Sequence, residues 1–318
     1  MGLVLVASPG TSVRYSRGWL ILRRRGGPEE RVHVNDVDTL IIATRGATIT
    51  TNVITELASR GVDVFFVTSR GDAWAWVYPP TPTKTVETRQ AQYWARAGEK
   101  ALEISKSLIE AKIRNKAWLL RLYAKSRPWA REASYEVEDH AREVRECGDR
   151  RCVLEAEAAA SRKYWRAYAQ IINHPGFGGR DQGSCDPINM ALNYGYAILL
   201  RHVLRAAVIN GLDPYAGFLH VDKPGRPALA LDLMEPFRFS IDRAVANTPK
   251  KALEEAGCRL TTDARKAVAA SAMKELEHRT YPHGSRRATI AEIVRAQARD
   301  LASHLRGSRH WEPFIARW

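Results

Sequence analysis

Residues 78–85, YPPTPTKT, separate two stretches of different character. Prolines at 79, 80 and 82 fix φ and remove backbone donors, so this run reads as an extended linker rather than a sheet strand or a helix. Before it, VLVAS, SVRYS, GWLILRRR, RVHVN, TLIIAT, VDVFFVTS and AWAWVY are short β-branched or aromatic runs. Pro-Gly, Arg-Gly and Gly-Gly punctuate them, as expected of a small sheet domain. One helix is expected among these strands, VITELASR, capped from Thr50, Thr51 and Asn52 and stopped by Gly61. After the linker, segments such as ALEISKSLIEAKIRNKAWLLRLYAK and NMALNYGYAILLRHVLRAAVIN carry apolar residues at three- and four-residue spacing. The expected fold class is therefore α+β and multidomain. It has a β-rich N-terminal domain at 1–80, a linker at 81–88 and a larger all-α domain at 89–318.

The balance of 49 Lys and Arg against 35 Asp and Glu gives a formal charge of +14, which favours a polyanionic partner, nucleic acid first. No run of about eighteen apolar residues suggests a membrane span. The opening MGLVLVASPG has no charged leader, so a cytoplasmic protein is expected. The cysteines, Cys147, Cys152, Cys185 and Cys258, form no CxxC pair, and structural zinc is not expected. Buried free thiols are the default, with a local Cys147–Cys152 disulfide as the alternative.

Residues 217–238, GFLHVDKPGRPALALDLMEPFR, hold the densest chemistry. The Lys223-Pro224-Gly225-Arg226-Pro227 run turns the chain between His220 and the acids. In the following helix Asp232 and Glu235 are three apart on one face, with Arg238 a turn further. Pro236 should kink that helix and leave polar backbone beside Glu235. A third carboxylate comes from EAEAAASRKYW, where Glu157, Ser161 and Tyr164 share a face and the alanines admit a close neighbour. Each of these residues also has an ordinary structural reading. Glu157 can pair with Ser161 or Arg162, His220 can be a core histidine, and Tyr164 and Tyr194 can be core tyrosines rather than pocket lining.

The motifs EAEAAASRKYW, SCDPINMALNYGYAILL, NGLDPYAGFLH and LALDLMEPFR, in this order and at these separations, resemble the CRISPR-associated integrase family, which inserts new spacers into a repeat array. The segments TTNVITELASRGVDVFFVTSRGDAWAW and KIRNKAWLL extend the resemblance over the whole chain. Ala158 and Ser161 depart from the family's usual glycine and alanine, but both remain small.

The resemblance implies an endonuclease and integrase that binds one divalent metal through Glu157, His220 and Glu235. Asp232 and Asn189 would stand behind these ligands, and Lys223 would reach a phosphate. Two carboxylates and an imidazole suit Mg²⁺ or Mn²⁺. The resemblance further implies double-stranded DNA as substrate, a homodimer formed through the β-rich domain, and a small ferredoxin-like CRISPR-associated partner. The competing expectations are a DNA-binding scaffold without catalysis and a general nuclease for branched DNA in repair.

Overall fold

The computed structural model describes residues 2–24, 26–60, 62–68, 73–77, 84–253, 255 and 257–317. It divides into two compact units, Met1–Thr81 and Pro82–Trp318. Gly61 and residues 78–83 of the expected linker lie outside the described residues.

The first unit runs β1 (Gly2–Val6), β2 (Thr11–Ser16), β3 (Trp19–Arg24), β4 (Glu29–His33), β5 (Val37–Ile42), β6 (Thr48–Ile49), α1 (Thr51–Ser59), β7 (Asp63–Val67) and β8 (Ala73–Val77). Two four-stranded sheets result, ordered β1-β5-β7-β8 and β4-β3-β2-β6. Gly18 and Gly10 take φ of +86° and +77° in the turns flanking β2, a conformation in which glycine pays no Cβ penalty. β5 pairs in parallel with both β1 and β7, and α1 lies on the connection between β5 and β7. Val13, Leu20 and Leu22 are buried in alternation with more exposed neighbours, so one face of the second sheet turns inward, where it meets Val4, Leu40 and Val64 of the first. Val53 and Leu57 of α1 complete that core. Thr50 stands at the N-cap of α1 as expected, but its side chain makes no capping hydrogen bond.

The second unit runs α2 (Thr85–Ala97), α3 (Lys100–Tyr123), α4 (Trp129–Glu146), α5 (Arg150–Ile172), α6 (Pro187–Ile209), α7 (Ala228–Met234), α8 (Arg238–Ala246), α9 (Thr262–Met273), β9 (Thr280–His283), β10 (Arg286–Thr289) and α10 (Ile290–Leu305). Helix α3 packs on α4 and α5, while α6 packs on α8, α9 and α10. In α6, Gly195 permits close approach: a Cβ there would stand 2.5 Å from Cγ2 of Ile241 in α8. Among the described residues, no helix is long and apolar enough to cross a membrane.

Three expectations need correction. Helix α2 begins at Thr85, inside the segment assigned to the linker. Its first turn is held from far along the chain, where Arg306 donates to Thr88 Oγ1 at 2.6 Å. The helical unit also contains the β9–β10 hairpin, closed at Gly284 with φ +61°, where no strand was expected. The four cysteines are not free thiols but form Cys147–Cys152 and Cys185–Cys258 disulfides. Asp149 caps α5 immediately after α4 ends, and this tight turn brings Cys147 and Cys152 to a Cα separation of 5.5 Å. Cys185 and Cys258 are 73 positions apart, so only the tertiary fold places their Cα atoms at 4.7 Å.

Candidate functional site

Helix α5 presents Glu157 from a face lined by Ala156 and Ala160, both buried, so α3 comes close. Ser161, one turn on, donates to Glu157 Oε1 at 2.7 Å. Lys112 of α3 donates to the same oxygen at 2.7 Å. The expected Ser161 contact is therefore present, joined by a lysine from another helix. Glu155 points elsewhere and pairs with Arg151.

His220 sits on the loop between α6 and α7. Gln92 of α2 shapes the loop, donating to the carbonyls of Asp213 at 2.9 Å and Ala216 at 2.7 Å and accepting from the Asp213 amide at 2.8 Å. Gly217 then passes so near α7 that a Cβ would lie 2.8 Å from Ala228 and from Asp232 Oδ2. That approach lets the wholly buried Asp232 carboxylate accept from the amides of Phe218 at 2.6 Å, Leu219 at 2.9 Å and His220 at 3.0 Å. Oδ1 of Asp232 also meets His220 Nδ1 at 2.5 Å. A carboxylate accepts, so Nδ1 donates this bond, and in the neutral ring Nε2 is then the nitrogen with a lone pair for another electrophile.

Pro236 interrupts the helix as the sequence suggests: α7 stops at Met234, Glu235–Phe237 forms a 3₁₀ turn, and α8 follows. The freed Pro236 carbonyl accepts from Asn115 Nδ2 at 2.7 Å. Asn115, fully buried, also donates to the Phe314 carbonyl at 2.9 Å and accepts from the Ala316 amide at 2.7 Å, tying the turn to the C-terminal segment. Glu235 is only 3% exposed. Its Oε1 meets Arg238 Nε at 2.9 Å and its Oε2 meets Lys112 Nζ at 2.6 Å. Each oxygen of this enclosed carboxylate therefore meets a cation of its own.

Charge is balanced within this cluster. Burial pushes the Glu235 carboxyl up, but Arg238 and Lys112 outweigh it and hold the group well below the usual carboxylate range. Burial opposes ionisation of Glu157 too, and Lys112 again prevails, lowering it. Lys112 is raised, because Glu235 and Glu157 overcome the cost of burying its ammonium. Lys116, one turn on, is pushed down to about 7 by burial and by the charge of Lys112. It lies over the rings of Tyr164 and Trp165, at 4.4 and 4.5 Å from their centroids. Behind it the buried Asp242 accepts from the hydroxyls of Tyr164, at 2.6 Å, and Tyr196, while Tyr168 donates to its carbonyl at 2.7 Å. Arg238 stacks over Tyr196 at 4.7 Å, linking this network to Glu235.

The structure thus gathers Glu157 and Glu235 around one ammonium and places Asp232 behind His220. Tyr164 and Tyr194 are buried, as core tyrosines. Asn189 is buried in the first turn of α6, where it accepts from Arg180 at 2.9 Å and donates to the Gly179 carbonyl at 2.9 Å. It thereby anchors the loop before α6. Lys223 lies exposed on the Lys223–Arg226 turn. Lys112, Asn115 and Lys116 were missed by sequence reasoning, although a signal was present in KIRNKAWLL. These polar residues share the helix face of Leu108, Ile109 and Leu119, which are buried.

Among the described residues, no three His, Cys, Asp or Glu side chains stand close enough together to hold a metal as they are placed. The donor chemistry nonetheless fits a divalent cation. Two carboxylates are kept ionised and already grip a single positive charge, and the ring of His220 is oriented by Asp232.

A β-rich unit is followed by a helical unit that assembles paired carboxylates and a carboxylate-oriented histidine. Comparison with known proteins supports a role in the nuclease and integrase class. The chain is 40% identical over 249 residues to a CRISPR-associated endonuclease Cas1 of Pyrobaculum aerophilum, covering 76% of this chain and 80% of the relative. It is 35% identical over 326 residues to CRISPR-associated endonuclease Cas1 of Hyperthermus butylicus, covering 98% of each. Among solved structures, a casposase bound to integration product superposes with a TM-score of 0.87 at 26% identity, over 98% of this chain and 93% of that one. The family model for CRISPR associated protein Cas1 matches residues 4–274, and the chain belongs to that family.

Proposed function

We propose that this protein is a divalent-metal-dependent DNA endonuclease and integrase of CRISPR adaptation, joining captured DNA to a repeat array by attack of a 3′-hydroxyl on a phosphodiester. The observation that carries this reading is the pairing of Glu157 and Glu235 about one cation, beside a histidine whose Nδ1 is committed to Asp232. Family membership and the casposase likeness support the joining chemistry.

Glu157, His220 Nε2 and Glu235 would hold Mg²⁺ or Mn²⁺. Bound there, the ion supplies Lewis-acid stabilisation of the charge that develops on the phosphate. The chain's own groups set the stage for it. Asp232 orients the imidazole, Arg238 and Lys112 keep Glu235 ionised, and Asn115 fixes the turn that carries Glu235. The net charge of +14 favours binding to a phosphate backbone. The family further suggests a homodimer through the β-rich unit and a small ferredoxin-like CRISPR-associated partner.

Chelation tests this reading. Removal of divalent ions with EDTA is expected to abolish strand joining and cleavage while DNA binding persists with a steep salt dependence. Strand joining that continues at full rate without divalent ions would overturn it.

A further inference from the structure

Lys112 is a lysine where the helix pattern calls for an apolar residue. It projects from the buried face of α3, between Leu108 and Leu119, and the whole residue is only 9% exposed. An ammonium buried alone pays a large desolvation cost, and Lys112 avoids this by lying 2.7 Å from Glu157 Oε1 and 2.6 Å from Glu235 Oε2. The relation also works in reverse. Glu157 comes from α5 and Glu235 from the 3₁₀ turn after α7, and two ionised carboxylates brought together by those elements would repel without a cation between them. The ammonium therefore fills the place of a positive ion, and it uses oxygens that a metal ion would need.

We propose that Lys112 is the resident counter-ion of the cation site: it holds Glu157 and Glu235 together while no metal is bound, and it must leave at least one of them for a divalent ion to enter. This inference rests on the metal-binding reading above. Its physical content is a competition. Every contact the ammonium makes with the carboxylates is lost or weakened when metal binds, and like-charge repulsion adds to the cost, so Lys112 lowers metal affinity. In exchange, the apo protein keeps its carboxylates in place rather than leaving them buried and opposed. Lys112 is thus a positioning residue for the ligands and a brake on metal entry. Lys116 does not share the role. It lies over Tyr164 and Trp165, on the Asp242 side of the cluster.

The test is Mn²⁺ binding to the full-length protein by isothermal titration calorimetry, comparing wild type with Lys112→Met and Lys112→Arg. Lys112→Met keeps the length of the side chain and removes the charge. It is expected to bind Mn²⁺ about tenfold or more tightly than wild type. Its melting temperature should be lower in EDTA and recover when Mn²⁺ is added. Lys112→Arg retains the charge and is expected to bind within about threefold of wild type. Equal or weaker Mn²⁺ binding by a folded Lys112→Met overturns the counter-ion role while the metal site stands. If neither wild type nor Lys112→Met binds Mn²⁺, the metal reading fails and the inference falls with it.

A second measurement needs no variant. In ¹⁵N-lysine-labelled wild type without metal, the Lys112 ammonium should give a slowly exchanging signal, because it is enclosed between the carboxylates of Glu157 and Glu235. Saturating Mg²⁺ is expected to shift or abolish that signal. A signal present and unchanged at saturating Mg²⁺ also overturns the proposal.

Discussion

Asp232 and His220 are locked together twice, since one carboxylate oxygen of Asp232 meets both the backbone amide of His220, at 3.0 Å, and its ring Nδ1, at 2.5 Å. The backbone bond sets where the histidine is, and the ring bond sets which nitrogen it offers. A residue argued from sequence only as a neighbour of the ligands thus acts on both the position and the tautomer of His220.

Asp232→Asn should separate support from ligation. The amide cannot accept from imidazole and backbone donors on both its atoms, so His220 loses its fixed tautomer. The Mn²⁺ concentration for half-maximal strand joining is expected to rise about ten- to a hundredfold, with part of the activity restored at high Mn²⁺. A variant that is inactive at every metal concentration would show instead that Asp232 is itself a ligand.

Glu235→Gln and Glu235→Ala should differ in stability but not in activity. Both remove the anionic oxygen and are expected to cut strand joining by about a hundredfold or more, as are Glu157→Gln and His220→Ala. Glu235→Ala also leaves Lys112 and Arg238 without their shared buried carboxylate, at a cost of about 3–5 kcal/mol, whereas glutamine keeps a polar acceptor. Urea melts distinguish the pair. Filter binding should show that DNA affinity is largely retained in the folded variants.

Acid should weaken the fold through these same carboxyls. Glu157 and Glu235 are held below their ordinary values, so their stabilisation is complete above the unfolded carboxyl range and is lost as pH falls through the folded values. Melting temperature measured from about pH 7 to about pH 3 in EDTA should therefore drop more steeply for wild type than for Glu157→Gln. Parallel curves would show that Glu157 has no such linkage.

Reduction of the disulfides should cost stability, most of it through one bond. Cys185–Cys258 closes a separation of 73 residues and Cys147–Cys152 one of 5, for which chain-entropy estimates are about 4 and about 2 kcal/mol. Cys185→Ser is accordingly expected to lower unfolding free energy more than Cys147→Ser. Thiol titration of the unfolded, unreduced protein should find no free thiol.

Asn115→Ala should damage the site from beneath. It strands the carbonyls of Pro236 and Phe314 and the amide of Ala316 in a buried setting, where each unsatisfied group costs about 1–3 kcal/mol. Lower thermal stability together with weaker Mn²⁺ binding is the expected pair of effects. A loss of stability with unchanged Mn²⁺ binding would limit Asn115 to holding the C-terminal segment.

By itself, the sequence determined what local physics controls. The change from β-branched runs to three- and four-residue apolar spacing separated a sheet unit from a helical unit. Pro236 broke the helix after α7, and Glu157 met Ser161 because both lie on one face of α5. The order of the motifs was enough to recognise the family, since those signals are carried in the chain itself. Tertiary structure alone decided the electrostatics. Lys112 is 45 positions from Glu157 in sequence, and its role depends on the crossing of α3 with α5 and the turn that holds Glu235. The contact of Arg306 with Thr88 in the first turn of α2 joins distant parts of the chain, and the Cys185–Cys258 bond depends on two loops meeting. In each case the deciding energy comes from groups far apart in the chain that become neighbours only after folding, where burial strengthens an unscreened charge or leaves a donor in need of an acceptor.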